Sequence, residues 1–126
     1  MDWTISVPEG TEIIRVELRG DFDLAAHPQL LSEVNDAIRK HPACSILFDN
    51  RQLHGGQMTP NEMVVSSGLF ADSLAGMGGK RMAIIPSEGE TERAENWTRI
   101  THSYTMTRIR VFRDEAEAVE WLTSDT

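Results

Sequence analysis

The sequence lacks most of the features that place a protein outside the cell or in a membrane. Its 126 residues include a single cysteine, Cys44, which cannot form a disulfide bond within the chain. A lone cysteine fits a reducing compartment. The N-terminus has neither the basic start nor the apolar run of a signal peptide. No stretch approaches the roughly 18 apolar residues that a membrane span requires. These absences predict a cytoplasmic protein without a membrane span.

Basic residues are also scarce relative to acidic ones. Lys and Arg number 12 against 20 Asp and Glu, which gives a net charge of −8. Phosphate backbones and anionic membrane surfaces are bound by clusters of Lys and Arg, so this charge disfavours both as partners. Hydrophobic residues make up 40% of the chain and charged residues 25%, values typical of a folded globular protein. We expect one domain over residues 1–126, without a nucleic-acid partner.

Two short runs near the N-terminus alternate apolar and polar residues, which is the pattern of half-buried strands. Ile5 and Val7 form the first run, and Ile14, Val16 and Leu18 form the second. Because only a short segment containing proline and glycine separates the two runs, we expect an antiparallel hairpin.

The rest of the chain alternates between helical and strand patterns. Apolar residues at three- and four-residue intervals predict a first helix that stops before His41-Pro42. Short apolar runs at 45–49 and 82–86 predict buried strands. The segment 50–58 between the first of these strands and the next helix is predicted to be a polar loop.

Pairs of residues at the spacing of a capping box predict the starts of three further helices. The pairs are Thr59 with Glu62, Ser87 with Glu90, and Asp114 with Glu117. A strand of alternating arginine and apolar residues lies before the last helix and is expected near a sheet edge. The resulting order, ββαβαβαβα, predicts an α/β fold with a mixed, mostly parallel five-stranded sheet and helices over its faces.

Three features together resemble a known family of domains. They are the opening hairpin, the strand that ends in Phe48-Asp49, and a tail that runs from Val111-Phe112-Arg113-Asp114-Glu115-Ala116 through Trp121-Leu122. Over roughly residues 3–122 the chain is similar to the STAS-type fold and, within it, to the SpoIIAA-like group named for an anti-sigma-factor antagonist. The resemblance implies a non-enzymatic regulatory or protein-interaction module. Related folds hold lipid-like ligands, so a carrier or sensor of a small apolar ligand stays open as an alternative.

The antagonists of this family carry an Asp-Ser-Ser-Gly-Leu motif at the start of the second helix, and its second serine is phosphorylated. This chain has Ser66-Ser67-Gly68-Leu69, preceded by Val65 in place of the aspartate. The segment lies about two turns inside the predicted helix, where its small residues are expected to permit close packing.

Spacing from Asp49 puts the position that matches the family motif nearer Thr59. Thr59 would lie at a helix N-terminus, where a phosphate is electrostatically favoured. Its ordinary role as an N-cap is the preferred interpretation. The sequence does not decide whether Thr59 or the Ser66-Ser67 pair is ever phosphorylated.

In open α/β sheets, ligands bind beyond the carboxyl ends of the parallel strands. The interaction surface predicted at that edge comprises Asp49, Arg51, His54, Thr59 and Glu62. His54 with Asp49 could instead form the acid–base pair of an enzyme, or a hard metal site with Asp21 and Asp23. The spacing matches no metal motif, so we predict neither a metal ion nor a cofactor.

Large side chains on the second and third helices could line an apolar pocket. They are Met63, Phe70, Leu74, Trp97 and Tyr104. Core packing accounts for the same spacing. An edge strand or an exposed helix face could also support a homodimer. The sequence therefore predicts a regulatory module with a protein partner, and it leaves a carrier of an apolar ligand and an enzyme using Asp49 and His54 as alternatives.

Overall fold

The computed structural model describes residues 1–55, 58–74, 80–103 and 107–124. Within these ranges the strands are β1 (Asp2–Ser6), β2 (Ile13–Asp21), β3 (Ser45–His54), β4 (Arg81–Ile85) and β5 (Arg108–Val111). The helices are α1 (His27–Lys40), α2 (Pro60–Leu74), α3 (Thr91–His102) and α4 (Glu115–Thr123), and a short 3₁₀ helix, Leu24–Ala26, precedes α1. None of the helices in these ranges has both the length and the hydropathy needed to cross a membrane.

The strands lie side by side in chain order, from β1 at one edge of the sheet to β5 at the other. β1 pairs antiparallel with β2, as the predicted hairpin requires, and β2 to β5 are parallel neighbours. The predicted fold class is therefore confirmed, as is the edge position of β5. Because each parallel strand is added in the same direction, right-handed crossovers put α1, α2 and α3 over the same face.

The two faces of the sheet bury separate sets of side chains. The first, called the three-helix face, contributes Ile14, Val16, Leu18, Ile46, Phe48, Met82, Ile84 and Ile109. Against these pack residues of three helices: Leu30, Leu31 and Val34 of α1, Phe70 of α2, and Trp97 of α3. The second, called the α4 face, buries Ile13, Leu47, Ala83 and Ile85 against Ala118 and Leu122. Since α4 has only nine residues, it covers part of this face, and charged side chains occupy the sheet beside it.

β3 is longer than the sequence indicates. The prediction ended this strand at Asp49 and placed a polar loop at 50–58, but the strand continues to His54. β2 explains the difference, because its last three residues pair with the last three of β3 after a shift in register. Pairing with a neighbouring strand thus outweighs the polar composition of the segment. The extension also places Leu53 in the buried core.

The helix start predicted at Thr59 is confirmed in its hydrogen bonds. The Thr59 Oγ1 accepts from the Glu62 N–H at 3.2 Å, and a Glu62 carboxylate oxygen accepts from the Thr59 N–H at 3.0 Å. Together these bonds form a capping box. Asp114 likewise caps α4, where its carboxylate accepts from the Ala116 N–H at 2.7 Å.

The helix start predicted at Ser87 is wrong. α3 begins at Thr91, and its N-cap residue Glu90 makes no side-chain capping bond. The Ser87 carbonyl instead accepts from the Glu90 N–H, so that residues 87–90 form a turn. Gly89 adopts a φ of +81° in this turn. Glycine tolerates that conformation without steric cost, so the turn is stable and delays the helix to Thr91.

We expect Thr59→Ala to lower the free energy of unfolding by about 1 kcal/mol, because it leaves an N-terminal N–H of α2 without its acceptor. Thr59→Ser keeps the hydroxyl oxygen and should stay within about 0.3 kcal/mol of the parent chain. Urea unfolding followed by circular dichroism measures both changes. Equal stability of the two variants would contradict the capping role of this side chain.

Candidate functional site

A cavity lies at the carboxyl ends of β2, β3 and β4, on the three-helix face. Its volume is about 110 Å³, and it opens to solvent on one side. The apolar part of its lining comes from the sheet and from α2 and α3, and it includes Leu18, Phe48, Leu53, Ile84, Phe70 and Trp97. This end of the strands is where open α/β sheets bind their ligands. We call the cavity the sheet-end pocket.

Aromatic rings form one wall of the sheet-end pocket. Phe70 packs edge to face against Phe48, His27 and Trp97, with centroid distances of 5.5, 6.0 and 4.9 Å. The Trp97 Nε1 donates to the Ser66 Oγ at 3.1 Å, which fixes the orientation of the indole. Such aromatic pairs contribute roughly 0.5–1.5 kcal/mol each beyond their burial. The wall is therefore formed by the protein itself and needs no ligand to hold it.

The pocket also has polar groups, some uncharged in its interior and a charged pair at its rim. The His27 Nδ1 lies 3.1 Å from the Asp23 carbonyl oxygen, and burial lowers the pKa of the imidazole despite that bond and the charge of Asp23. His27 is thus uncharged at neutral pH. The Asn50 Oδ1 is shielded from solvent and has no hydrogen-bond partner in the described part of the chain. At the rim, Arg93 donates to both carboxylate oxygens of Glu90 at 2.8 Å, so the two charges offset each other.

The α4 face carries a group of charged residues at the N-terminus of α4. The Asp49 side chain is 5% exposed and accepts two 2.9 Å hydrogen bonds from the Arg51 guanidinium and one from Arg15. Glu115, in the first turn of α4, accepts from Arg51 at 2.8 Å and from Arg15 at 3.0 Å. Glu17 accepts from Arg15 at 3.2 Å. We call these five residues the α4-face network, which joins β2, β3 and α4.

The α4-face network keeps Asp49 ionised. Burial by itself raises the pKa of this carboxyl, but the hydrogen bonds and charge of Arg51, with the charge of Arg15, outweigh burial and hold the pKa below its ordinary value. The pKa of Arg51 is raised, first by its hydrogen bond to Asp49. The pKa of Arg15 is also raised, first by its hydrogen bond to Glu115. A carboxylate held in this way serves the structure and is not poised for proton transfer near neutral pH.

The structure divides the predicted interaction surface between different groups. Asp49 and Arg51 belong to the α4-face network, whereas Thr59 and Glu62 bond to each other at the start of α2. His54 is exposed at the end of β3, where its carbonyl accepts from the Phe22 N–H at 2.7 Å.

The hypothetical acid–base pair of Asp49 and His54 is not formed. The Asp49 carboxylate bonds to arginines, and His54 lies five residues further along the same strand. At ~3.3 Å per residue this separation is on the order of 16 Å, far beyond hydrogen-bonding reach. Across the described ranges, no group of three or more His, Cys, Asp or Glu side chains could hold a metal ion, so Asp21 and Asp23 complete no such site.

Of the five residues predicted to line an apolar pocket, two lie in the lining of the sheet-end pocket. Phe70 and Trp97 line the sheet-end pocket. Met63 packs against the same hydrophobic core but is not part of the lining. The side chain of Leu74 and the whole of Tyr104 lie outside the described residues.

Four further lining residues carry no motif in the sequence. Asn50 and Leu53 come from the segment predicted as a loop, Phe22 directly follows β2, and His27 is the first residue of α1. All four lie at or just beyond the carboxyl ends of parallel strands. That position is the signal that could have found them, although it does not reveal which side chains point into the pocket.

Comparison with known proteins agrees with this architecture. A family model described as SpoIIAA-like matches residues 13–123. The chain belongs to the SpoIIAA-like family. A search of curated proteins found no significant match.

Two solved structures share the fold of this SpoIIAA-like chain. One is an uncharacterized protein of the DUF3478 family from Shewanella loihica PV-4, which aligns with a TM-score of 0.64 and 20% identity over 96% of this chain and 92% of that one. The other is the anti-sigma factor antagonist SpoIIAA in its unphosphorylated form, with a TM-score of 0.63 and 15% identity over 95% of each chain. The resemblance inferred from the sequence is therefore confirmed at the level of fold.

The Ser-Ser-Gly-Leu segment of this SpoIIAA-like chain lies inside α2. Ser66 and Ser67 are 1% and 0% exposed, and Ser66 is bonded to Trp97. A kinase could reach these hydroxyls only if the core opened. The close packing expected here holds for the serines but not for Gly68, because a Cβ at Gly68 would meet no atom within 4 Å.

The outward side of α2 exposes two large apolar side chains. Val64 and Val65 are 48% and 52% exposed, and they are the exposed large hydrophobic residues of the described part of the chain. Asn61 and Gly68 lie on the same side, at helical spacings of three and four residues. We call Asn61, Val64, Val65 and Gly68 the α2 outer surface.

Proposed function

We propose that this chain is a non-enzymatic regulatory module that binds another protein through the α2 outer surface. The observation that carries the proposal is the exposed pair Val64 and Val65. Isolated apolar residues on a protein surface are ordinary, whereas adjoining ones on one surface are typical of interaction sites. The state of Asp49 supports a non-enzymatic module, because this carboxylate, the acid–base candidate of the enzyme alternative, is ion-paired with two arginines.

The composition of the α2 outer surface is unfavourable for the isolated chain. Valine is β-branched and has a lower helix propensity than alanine, glutamate or lysine at an exposed position. Glycine inside a helix costs roughly 0.5–1 kcal/mol relative to alanine. The space around Gly68 would accept a side chain without a clash. Two valines beside an uncovered stretch of helix backbone suit a surface that a partner approaches closely.

The fold supports a regulatory role. One structural neighbour is described as an anti-sigma factor antagonist, a description that implies action on another protein. The phosphorylated serine that the family resemblance implies has no accessible equivalent at Ser66 or Ser67. We therefore propose a module that works by contact through α2, without a phosphorylation switch at these two serines.

The double substitution Val64→Glu with Val65→Glu tests the α2 outer surface directly. The tagged chain is used as bait in a lysate of its host, and the captured proteins are quantified by mass spectrometry. We expect at least a roughly tenfold loss of the specific partner, because two charges are forced into an apolar contact. The matched control is Gln29→Glu with Ser32→Glu, which adds the same two charges to exposed positions of α1 and should keep the partner.

Gly68→Gln gives an independent test in which stability and binding move in opposite directions. Glutamine is a better helix former, so the free energy of unfolding should rise by about 0.5–1 kcal/mol. The same side chain covers the helix backbone and should weaken capture of the partner. The proposal fails if every variant captures what the parent chain captures. It also fails if ultracentrifugation shows that the parent chain is a dimer and that the Val64→Glu, Val65→Glu variant is a monomer, because the valines would then join two copies of this chain.

A second function, the binding of a small ligand, is supported by the sheet-end pocket. The pocket has aromatic walls and a volume of about 110 Å³. An apolar cavity of ~150 Å³ in another protein binds benzene, so this volume is on the scale of a single ring. The chain would then be a sensor or carrier of a small apolar ligand. Native mass spectrometry of the chain purified from its host tests this function, and a complete lack of adducts would count against it.

A further inference from the structure

We infer that the sheet-end pocket takes a neutral, ring-sized molecule that carries one hydroxyl or N–H donor, and that the Asn50 Oδ1 is the acceptor for that donor. This inference rests on the second proposed function, the binding of a small ligand, and gives the ligand a chemical class. It follows from the size of the pocket, from the pairing of the charges around it, and from the Asn50 oxygen in its lining, which accepts no hydrogen bond from the described residues.

The size and walls of the pocket favour a single ring. The cavity of about 110 Å³ lies between the rings of Phe70 and Trp97 and the aliphatic side chains of Leu18 and Ile84. A ring inserted there can make the edge-to-face contacts that Phe70 already makes with its neighbours. Because the cavity opens to solvent, a substituent on the ring can extend out of it.

The charges around the pocket disfavour an ionised ligand. At the rim, one guanidinium nitrogen of Arg93 donates to both carboxylate oxygens of Glu90, so the two charges offset each other. His27, which faces the pocket, is buried and uncharged at neutral pH. The other charged side chains of β3 at this level, Asp49 and Arg51, lie on the opposite face of the sheet in the α4-face network. An anion or cation would therefore lose its hydration without gaining a free partner.

Asn50 supplies the polar selectivity. Its Oδ1 is shielded from solvent and, among the described residues, accepts no hydrogen bond. Buried acceptors are almost always paired in folded proteins, so a ligand that donates to this atom gains an interaction that the free protein lacks. The Ser66 oxygen, also in the lining, already accepts from the Trp97 indole. Asn50 is thus the group that distinguishes a ligand with a donor from one without.

The test compares phenol, anisole and benzoate as probes of the ¹⁵N-labelled full chain. Phenol and anisole share the ring and differ in the donor, whereas benzoate is an anion. The reporter is the indole N–H resonance of Trp97, and that of Trp121 on the α4 face is the internal reference. We expect phenol to shift the Trp97 signal with about tenfold tighter affinity than anisole. Benzoate should bind more weakly than phenol.

Variants at position 50 then assign the acceptor. Asn50→Leu should bring the affinity for phenol down to that for anisole, whereas Asn50→Asp keeps an acceptor oxygen and should keep the preference for phenol. Gln52→Leu, at an exposed position of the same strand and outside the pocket lining, is the matched control and should change neither affinity. Dispersed amide spectra establish that each variant is folded.

The possible results separate the two claims. If anisole binds within twofold of phenol, if benzoate binds more tightly, or if Asn50→Leu keeps the preference, the inferred ligand class is wrong while ligand binding itself stands. If none of the probes shifts the Trp97 signal at millimolar concentration, the inferred class is overturned together with the ligand-binding function.

Discussion

Trp97→Ala is expected to lower the free energy of unfolding by about 3–5 kcal/mol. The indole is 6% exposed, packs against the Phe70 ring at 4.9 Å and donates to the Ser66 oxygen. Its removal deletes a large buried surface and leaves a cavity that the surrounding helices can close only in part. A loss of that size is a large fraction of the stability of a small domain. Urea unfolding followed by circular dichroism measures it.

Two smaller substitutions separate packing from hydrogen bonding at the same place. Trp97→Phe keeps a ring in the core but loses the N–H donor. Ser66→Ala keeps the indole and leaves its N–H without an acceptor, which should cost about 1–3 kcal/mol. A loss below about 1 kcal/mol for Trp97→Ala would mean that the aromatic wall is not part of the packed core. The sheet-end pocket would then not be pre-formed.

Asp49→Asn is expected to lower the free energy of unfolding at pH 7 by about 2–3 kcal/mol. The substitution keeps the shape of the side chain but removes the charge that pairs with Arg15 and Arg51. The cost stays below that of a fully buried pair, because Arg51 is 44% exposed and Glu115 still contacts both arginines. Asp36→Asn is the matched control. Its partner Arg39 is exposed, so we expect a change below about 0.5 kcal/mol.

The effect of Asp49→Asn should depend on pH in a definite direction. The pKa of Asp49 is lower in the folded chain than its value of about 3.9 in an unfolded one. Its contribution is therefore complete above about pH 4 and is lost as the pH falls through the folded-state pKa. The difference between parent and variant should be constant from pH 7 to 5 and shrink at lower pH. A difference that grows on acidification would contradict the proposed pairing.

The elements that could be predicted from the sequence are those with local causes. The capping box of Thr59 and Glu62 lies within one turn, and it fixed the start of α2 correctly. The hairpin followed from two alternating runs with a short turn between them. The helix before His41-Pro42 ended where proline geometry requires. Each of these depends on residues a few positions apart.

The parts that could not be predicted depend on partners far away in the chain. The continuation of β3 to His54 requires β2 beside it. Arg15 and Glu115, which are 100 residues apart, meet only in the folded structure. Asn50 has the composition of a loop residue, and its place in the pocket depends on which side of an extended β3 it occupies. Successive residues of a strand point to opposite faces of the sheet, and this alternation divides the candidate site residues between the two faces.

The central claim is that the α2 outer surface contacts a protein partner. The relevant partner is the protein that the parent chain captures and the Val64→Glu, Val65→Glu variant does not. Amide hydrogen exchange of the chain, measured with and without this partner, tests the claim most directly. We predict slower exchange on binding over residues 60–69, with the segments of α4 and β5 unchanged. Protection confined to α4 or β5, with residues 60–69 exchanging as in the free chain, would contradict the claim.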